Sequence, residues 1–245
     1  MSPVRQGPTV SVVIPALDEE ASLPKVIRSA REAGADEVVV VDGGSTDGTL
    51  ETACRLADAA LASAAGRAMQ MNAGARRASG AVLLFLHADT ELPHGSIDAV
   101  RMAMRNGGCL GGAFRVRLSL SAGASIYRTA MLRLTGRMIN LRARLFRAYT
   151  GDQGIFVRRE VFEAMGAYPE IPLMEDVALS RLLTARGETV LLPVPITTSA
   201  RRWEAQGPAR TILLMWGLRL AHRLGMSPER CAEIYQGSPR PKRDA

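Results

Sequence analysis

Four consecutive valines, residues 38–41, run straight into Asp42 and then into the loop Gly-Gly-Ser-Thr-Asp-Gly-Thr. A solvated segment has no use for four β-branched apolar side chains in a row, and an ordinary core strand has no use for the carboxylate. A strand covered on both faces meets the first constraint, because alternate residues point to opposite sides and a doubly buried strand reads as an unbroken apolar run. The carboxylate then stands where that strand leaves the core.

The flanking segments supply the two covers. Residues 10–14 form another β-branched run, ended by Pro15. Residues 22–33 carry Leu23, Val26, Ile27, Ala30 and Ala33 at helical spacing, with Ser22 as candidate N-cap, Pro24 in the first turn and Gly34 as the stop. After the valines comes a helix over about 50–57, capped by Thr46 or Asp47. A strand near Ala60, a helix over 67–78 closed by Gly80, and a strand in "AVLLFLHAD" follow. This alternation predicts right-handed βαβ units: an α/β fold with a Rossmann-like, mostly parallel central sheet and helices on both faces. In such sheets ligands collect beyond the carboxyl ends of the strands. Asp18, Asp42 and Asp89 each fall at or just past such an end, so they are expected on one rim. The second half is less regular: a strand in "CLGGAFRVRL", a helix over 124–147, a glycine-opened strand and helix in "GDQGIFVRREVF", a helix over 176–186 and a strand in "TVLLPV".

The 245 residues, 47% hydrophobic and 22% charged, suffice for one sizeable domain and an appendage. A net charge of +7 suits an anionic partner. With aromatics at only 4%, base-stacking modules are disfavoured and no nucleic-acid partner is expected. Cys54, Cys109 and Cys231 are odd in number and show no CxxC spacing, which reads as reduced, buried thiols of a cytoplasmic protein. The first ten residues lack the apolar stretch of a signal peptide. No apolar run approaches the roughly 20 residues that span a bilayer; residues 211–225 are broken by Arg219, His222 and Arg223.

An acidic rim suits particular chemistry. Asp42 can accept a hydrogen bond from a base N–H or a ribose hydroxyl, and Gly43 and Gly44 let backbone approach a ligand without a Cβ in the way. Asp89 suits Mg²⁺ or Mn²⁺, which are commonly held by one or two carboxylates with substrate phosphates completing the shell.

Taken in order, "SVVIPALDEE", "VVVVDGGSTDGT", "MNAGARRASGAVLLFLHADT" and "PLMEDVALSRLL" resemble the successive signatures of family 2 glycosyltransferases, which have the GT-A fold. The resemblance covers about residues 9–204. It leaves 205–236 as a C-terminal helical appendage and 237–245 as a disordered tail. "FLHADT", "TGDQGIFVRR", "PLMEDV" and "TSARRW" further resemble a bacterial subgroup linked to arsenosugar biosynthesis. The resemblance implies an inverting, metal-dependent transferase that takes a nucleoside-diphosphate sugar and a hydroxyl acceptor, small molecule or lipid. Carried over, Pro15, Ala16 and Glu19 line the nucleoside pocket, Asp42 and Gly43 meet the base, and Asp89 ligates the metal. Arg67, Asn72, His87 and Ala88 complete the donor site. Asp176 is the general base on the acceptor hydroxyl, supported by Glu175, while Asp152, Gln153, Arg202 and Trp203 serve acceptor and diphosphate. Four departures stand out. Asp18 replaces the usual Asn, His87-Ala88-Asp89 replaces Asp-x-Asp, and Ser199 replaces the Gln of Gln-x-x-Arg-Trp. Met71 replaces the Arg often found just before the Asn that stands at Asn72, with Arg67 one helical turn earlier to take its role.

Simpler readings stand beside these. Asp42 can form an Asx-turn, Asp89 can cap a helix near Gly95, and Glu175 and Asp176 can be first-turn acids favoured by the helix dipole. Asp152 and Gln153 can make a tight turn, and Arg201 and Arg202 can be solvated charges. Arg133, Arg137, Arg144 and Arg147 fall on one side of helix 124–147, with Leu132, Leu134, Met138, Ile139, Leu141, Leu145 and Phe146 broadly on the other. That pattern fits a helix packed on the sheet, or a peripheral contact with the inner membrane face. The 211–225 helix offers a second such surface or a homodimer contact. The rival functions are a sugar-1-phosphate nucleotidyltransferase, which should show a basic glycine-rich loop where "PALDEE" stands, and a non-catalytic sugar-nucleotide-binding module.

Overall fold

The computed structural model describes residues 7–105, 107–119, 125–201 and 207–237. In chain order the elements are β1 (Val10–Ala16), α1 (Leu23–Glu32), β2 (Glu37–Asp42), α2 (Thr49–Leu56), β3 (Ala59–Ala62), α3 (Arg67–Arg77) and β4 (Val82–Phe85). Then come β5 (Thr90–Glu91), α4 (Ser96–Met104), β6 (Cys109–Ser119), α5 (Ile126–Phe146), a 3-10 turn (Gly151–Gln153), β7 (Ile155–Arg158) and α6 (Arg159–Ala164). α7 (Glu175–Arg186), β8 (Glu188–Ser199), α8 (Pro208–Arg223) and α9 (Pro228–Gln236) finish the chain.

One eight-stranded sheet runs in the order β3-β2-β1-β4-β7-β6-β8-β5. Its first four strands pair in parallel, as the alternation predicts. β7 then enters antiparallel to both β4 and β6, and β8 runs parallel to β6. The valine run behaves as its pattern requires. Val38 and Val40 pack into one core with β1 residues Val10, Val12 and Ile14 and helices α1 and α4. Val39 and Val41 pack into the other with Val13, α3 and α7. All four are fully buried, and each such side chain contributes about 1.5–3 kcal/mol relative to exposure.

The reversal of β7 is what makes a site. Phe85 at the end of β4 pairs with Ile155 at the start of β7, so the turn before β7 arrives at the rim where β4 leaves. β8 brings its carboxyl end to the same rim, where Thr198 pairs with Thr90 of β5. Pro193 lies where the β6–β8 register shifts, and Pro195 just past it; a bulge accommodates a residue that cannot donate to the ladder.

Local details differ from the sequence pattern. Ser22 keeps a helical backbone, so its hydroxyl donates to the Glu19 carboxylate instead of capping α1. α2 begins after Gly48, and Asp47 accepts the Thr49 N–H from one residue outside. Cys54 is exposed, against expectation, because α2 turns Thr52 and Ala53 inward; Cys109 is half-buried and Cys231 buried, and all three are free. On α5 the buried stripe is narrow: Leu132, Thr135, Gly136 and Ala143. Asn140 clamps β6 by bonding both backbone groups of Val116, at 2.9 and 3.0 Å. Close seating on one strand leaves Leu134, Leu141, Leu145 and Phe146 exposed, so of the expected apolar side Leu132 is packed and most of the rest is not.

α3 seats against the sheet through Gly74, where a Cβ would collide with Val13 and Val41. Gly74→Ala should therefore destabilise by about 1–3 kcal/mol through overpacking. Gly217→Ala, in open space on α8, should instead gain up to about 1 kcal/mol from helix propensity. Chemical denaturation of both variants checks this; equal signs would mean that α3 is not pressed on the sheet.

Candidate active site

The loops after β1 and β2 are laced together by side chains that bond backbone. Asp18 adopts a left-handed φ of 49°, and its N–H donates to Ser45 Oγ at 2.8 Å. Asp18 Oδ1 accepts from the Thr46 N–H at 2.7 Å, and the Glu19 N–H donates to Thr49 Oγ1 at 2.8 Å. Glu20 accepts the Gly48 N–H at 3.0 Å. The acidic "DEE" stretch thus holds the 45–49 loop in place by pairing with its backbone and hydroxyl groups. Beneath it, Gln70 of α3 donates to Ala16 O at 2.8 Å and Val41 O at 2.9 Å, tying the two strand ends. A Cβ on Gly43 would come within 2.9 Å of that amide, so Gln70 explains the glycine.

Asp42 is buried and accepts from the Gly44 and Ser45 N–H groups, each at 3.0 Å, and from the Ser45 hydroxyl. The Asx-turn reading describes it directly. Three acceptances leave its carboxylate one lone pair for a ligand.

Asp89 does not cap α4. It lies between β4 and β5, with its carbonyl accepting the Ser199 N–H at 3.1 Å. Arg201, just past β8, donates to Glu19 at 2.8 Å and comes within 3.9 Å of Asp89. Burial pushes the Asp89 carboxyl up; His87 and Arg201 oppose this, while Asp152 and Glu19 add to it.

The second wall is the 3-10 turn and the start of α7. His87 Nδ1 lies 3.3 Å from Asp152 Oδ1, and a Cβ on Gly151 would collide with the His87 ring. The Gly151 N–H donates to Asp176 Oδ2 at 2.8 Å and the Val177 N–H to Oδ1 at 2.7 Å, fixing the plane of that carboxylate. Asp176 is half-buried. Glu175 is buried, and its carboxyl is raised by burial and by Asp176, against the pull of Arg67. Desolvation in the cleft works to lower Arg67, but Glu175, Asp152, Asp176 and Asp89 outweigh it and raise its pKa. Arg142 is lowered by burial, with Asp176 and Asp152 opposing.

The structure therefore brings Glu19, Arg67, His87, Asp89, Asp152, Glu175 and Asp176 to one cleft. Pro15, Ala16, Gly43 and Ala88 are buried beside it and offer backbone rather than side chains. Two expected residues face elsewhere. Asn72 spends both ends of its amide on the Tyr168 backbone, at 2.9 and 3.0 Å. Gln153 is fully buried between Phe114 O and Thr150, so it builds the turn and does not face a ligand. Arg202 and Trp203 lie outside the described residues. Sequence reasoning missed Gln70, whose only signal is its place one turn after Arg67 on the inner face of α3. It also missed Arg142, and it gave Arg201 no site role, weighing it only as one of two charges that can be solvated.

The model for Glycosyl transferase family 2 matches residues 11–166. Mannosyltransferase PcManGT from Pyrobaculum calidifontis, solved with GDP-Man and Mn²⁺, superposes with a TM-score of 0.63 at 18% identity, covering 94% of this chain and 68% of that one. Mycobacterium tuberculosis glucosyl-3-phosphoglycerate synthase gives a TM-score of 0.58 at 22% identity, covering 90% of this chain and 82% of that one. S. aureus TarS gives 0.60 at 14%, and there the match covers 93% of this chain but only 42% of that one. At such identities the likeness establishes a shared fold. No curated protein matches the chain.

A carboxyl raised by burial favours folding in its protonated form, so its contribution is present below the unfolded pKa and lost as pH rises through the folded one. Ionised Asp89 accordingly costs the metal-free protein stability at neutral pH. Asp89→Asn should raise the melting temperature at pH near 7, with the gain fading as pH falls toward about 4. Scanning calorimetry with chelator checks it; a loss of stability at every pH would make Asp89 a structural acceptor.

Proposed function

The chain belongs to glycosyl transferase family 2, and we propose that it moves a sugar, with inversion, from a nucleoside-diphosphate sugar to an acceptor hydroxyl, Asp176 being the base. The observation that carries this reading is the placement of Asp176. Two backbone N–H groups hold its carboxylate in one orientation, on the wall facing the Asp89 rim. The acceptor oxygen attacks the anomeric carbon, the bond from that carbon to the diphosphate breaks, and the acceptor proton passes to Asp176 as attack proceeds. The laced loop presents the Gly43–Gly44 backbone and the remaining lone pair of Asp42 to the nucleoside. Arg67 stands over the carboxylates, and Asp152 orients His87 toward ribose or phosphate.

The donor set fits a divalent cation. Five carboxylates (Glu19, Asp89, Asp152, Glu175, Asp176) interact in this cleft with three guanidiniums (Arg67, Arg142, Arg201), leaving an excess of negative charge that repels a bare diphosphate. Among the described residues no three His, Cys, Asp or Glu side chains form a ready cage. Asp89 with phosphate oxygens is then the arrangement by which Mg²⁺ or Mn²⁺ is commonly held. Such an ion, when bound, neutralises charge developing on the leaving diphosphate.

The PcManGT complex with GDP-Man and Mn²⁺ and the TarS complex with UDP-GlcNAc support the donor class. The "FLHADT", "TGDQGIFVRR" and "PLMEDV" segments support the arsenosugar-linked subgroup by resemblance alone. We assign the transferase unit to 9–204, the appendage to 205–236 and a tail to 237–245, and on the cysteine pattern a cytoplasmic location. Arg202 and Trp203 keep their proposed diphosphate role on resemblance.

UDP or GDP should raise the melting temperature in Mn²⁺ or Mg²⁺ and not in EDTA, approaching about 2.7 kcal/mol of stabilisation at a hundredfold excess over Kd. Equal stabilisation in EDTA removes the metal from the reading.

Asp176→Asn keeps shape and removes the base, so transfer should fall roughly 10²–10⁴-fold with nucleotide stabilisation unchanged. Proportional loss of both would place Asp176 in the donor site.

A further inference from the structure

α5 and α8 pack side by side and enclose a groove of about 320 Å³. Its walls are apolar, with Met138, Ile139, Leu145, Phe146, Met215 and Trp216 among them, and its polar end is Thr150 and Asp152. That end belongs to the site already described: Asp152 contacts His87, and the neighbouring Gly151 N–H holds Asp176. The groove therefore opens onto the acceptor side of the cleft.

Three observations identify an occupant. First, Arg142 and Arg219 line the groove, and Arg219 Nε is buried without a hydrogen-bond partner among the described residues. A buried unmet donor is costly, and an anionic group beside it would remove the cost. Second, ten of the sixteen exposed large hydrophobics among the described residues lie on α5, α8 or at Leu224, the residue that ends α8, so the exposed apolar surface is concentrated in and around the groove rather than scattered. Third, Arg133, Arg137 and Arg144 on α5, Arg147 at its C-terminal cap and Arg223 on α8 stand exposed along the same two helices. Apolar and basic side chains together suit the interface of an anionic bilayer. A second copy on this face would set arginines against arginines, which like-charge repulsion disfavours. Among the described residues no helix is long and apolar enough to cross a membrane, so the contact lies in the interface.

We propose that α5 and α8 rest on an anionic membrane surface and that the groove between them takes the apolar chain of a lipid acceptor. Its headgroup carries an anionic group facing Arg142 and Arg219 and a free hydroxyl that reaches Asp176. The proposal rests on Asp176 being the catalytic base and deepens that reading by naming the acceptor class.

The test has two arms. Phosphatidylcholine vesicles with and without phosphatidylglycerol probe the face by co-sedimentation, and short-chain phosphatidylglycerol below its micelle concentration probes the groove by thermal shift. Wild type should bind only the anionic vesicles, and binding should weaken as salt shortens the Debye length toward about 10 Å at 0.1 M. Leu145→Glu/Trp216→Glu, both exposed positions, should lose both responses, while stabilisation by UDP or GDP with Mn²⁺ stays intact. Arg219→Gln should weaken the short-chain lipid roughly tenfold, as expected for one charge-assisted hydrogen bond. No vesicle binding at low salt, equal stabilisation by short-chain phosphatidylcholine, or a dimer that the double variant dissociates would each overturn the proposal. Loss of the nucleotide response in wild type would instead strike the transferase reading itself.

Discussion

One amide holds the donor side together. Gln70 spends its two protons on Ala16 O, at the end of β1, and Val41 O, one residue before the end of β2. Both are buried acceptors, and Ala16 O also takes the Gly43 N–H at 2.9 Å; each such bond contributes about 0.5–1.5 kcal/mol. With them satisfied, the two loops emerge at a fixed separation, and the short bonds from Asp18, Glu19 and Glu20 to residues 45–49 can form. Gly43 is the geometric consequence, since any side chain there would displace the amide. The valines of β2 set the depth of this arrangement, and Gln70 sets its width.

The electrostatics of the cleft follow from its walls. Asp89 and Glu175 are both raised first by burial, and both sit among other carboxylates. Clustering of that kind lowers stability in the empty protein and is tolerated where a cation or a substrate will later offset it. The three arginines are spread over distinct elements: Arg67 opens α3, Arg142 lies on α5 and Arg201 follows β8. Arg67 meets Glu175, Asp152, Asp176 and Asp89, Arg142 shares Asp176 and Asp152 with it, and Arg201 meets Glu19 and Asp89, so no single ion pair neutralises the site.

The first half of the molecule was legible because its signals are periodic. Val12, Val13, Val38 and Val41 announce two-faced strands, and Leu23, Val26, Ile27 and Ala30 announce the helix that covers them. The rim positions of Asp18, Asp42 and Asp89 followed from strand ends alone. What stayed hidden depends on tertiary pairing. Nothing local distinguishes Gln153, buried under Phe114, from Asp152 beside it, which faces the cleft; the left-handed Gly154 and the capping box with Thr150 decide which way each points. Asn72 reads as a donor-site residue until Tyr168, far away in sequence, claims its amide. On α5 the periodicity is present, yet the packed stripe runs through Leu132, Gly136 and the Asn140 clamp on β6, and leaves out Leu134, Leu141 and Leu145.

That exchange of roles on α5 links fold to chemistry. A helix packed through small residues and one asparagine clamp sits close to its strand and turns its large apolar side chains away from the core. Those side chains have no partner in the sheet, and α8 covers only part of them. The uncovered remainder borders a groove whose polar end is Asp152, and the antiparallel entry of β7 carries that same turn to the rim where β4 ends. The strand reversal that departs from the parallel pattern thus joins an apolar surface to a carboxylate cleft. In a fully parallel sheet, the start of β7 would emerge at the opposite edge, and Gly151 could not reach both His87 and Asp176. Direction of one short strand decides whether donor and acceptor chemistry meet.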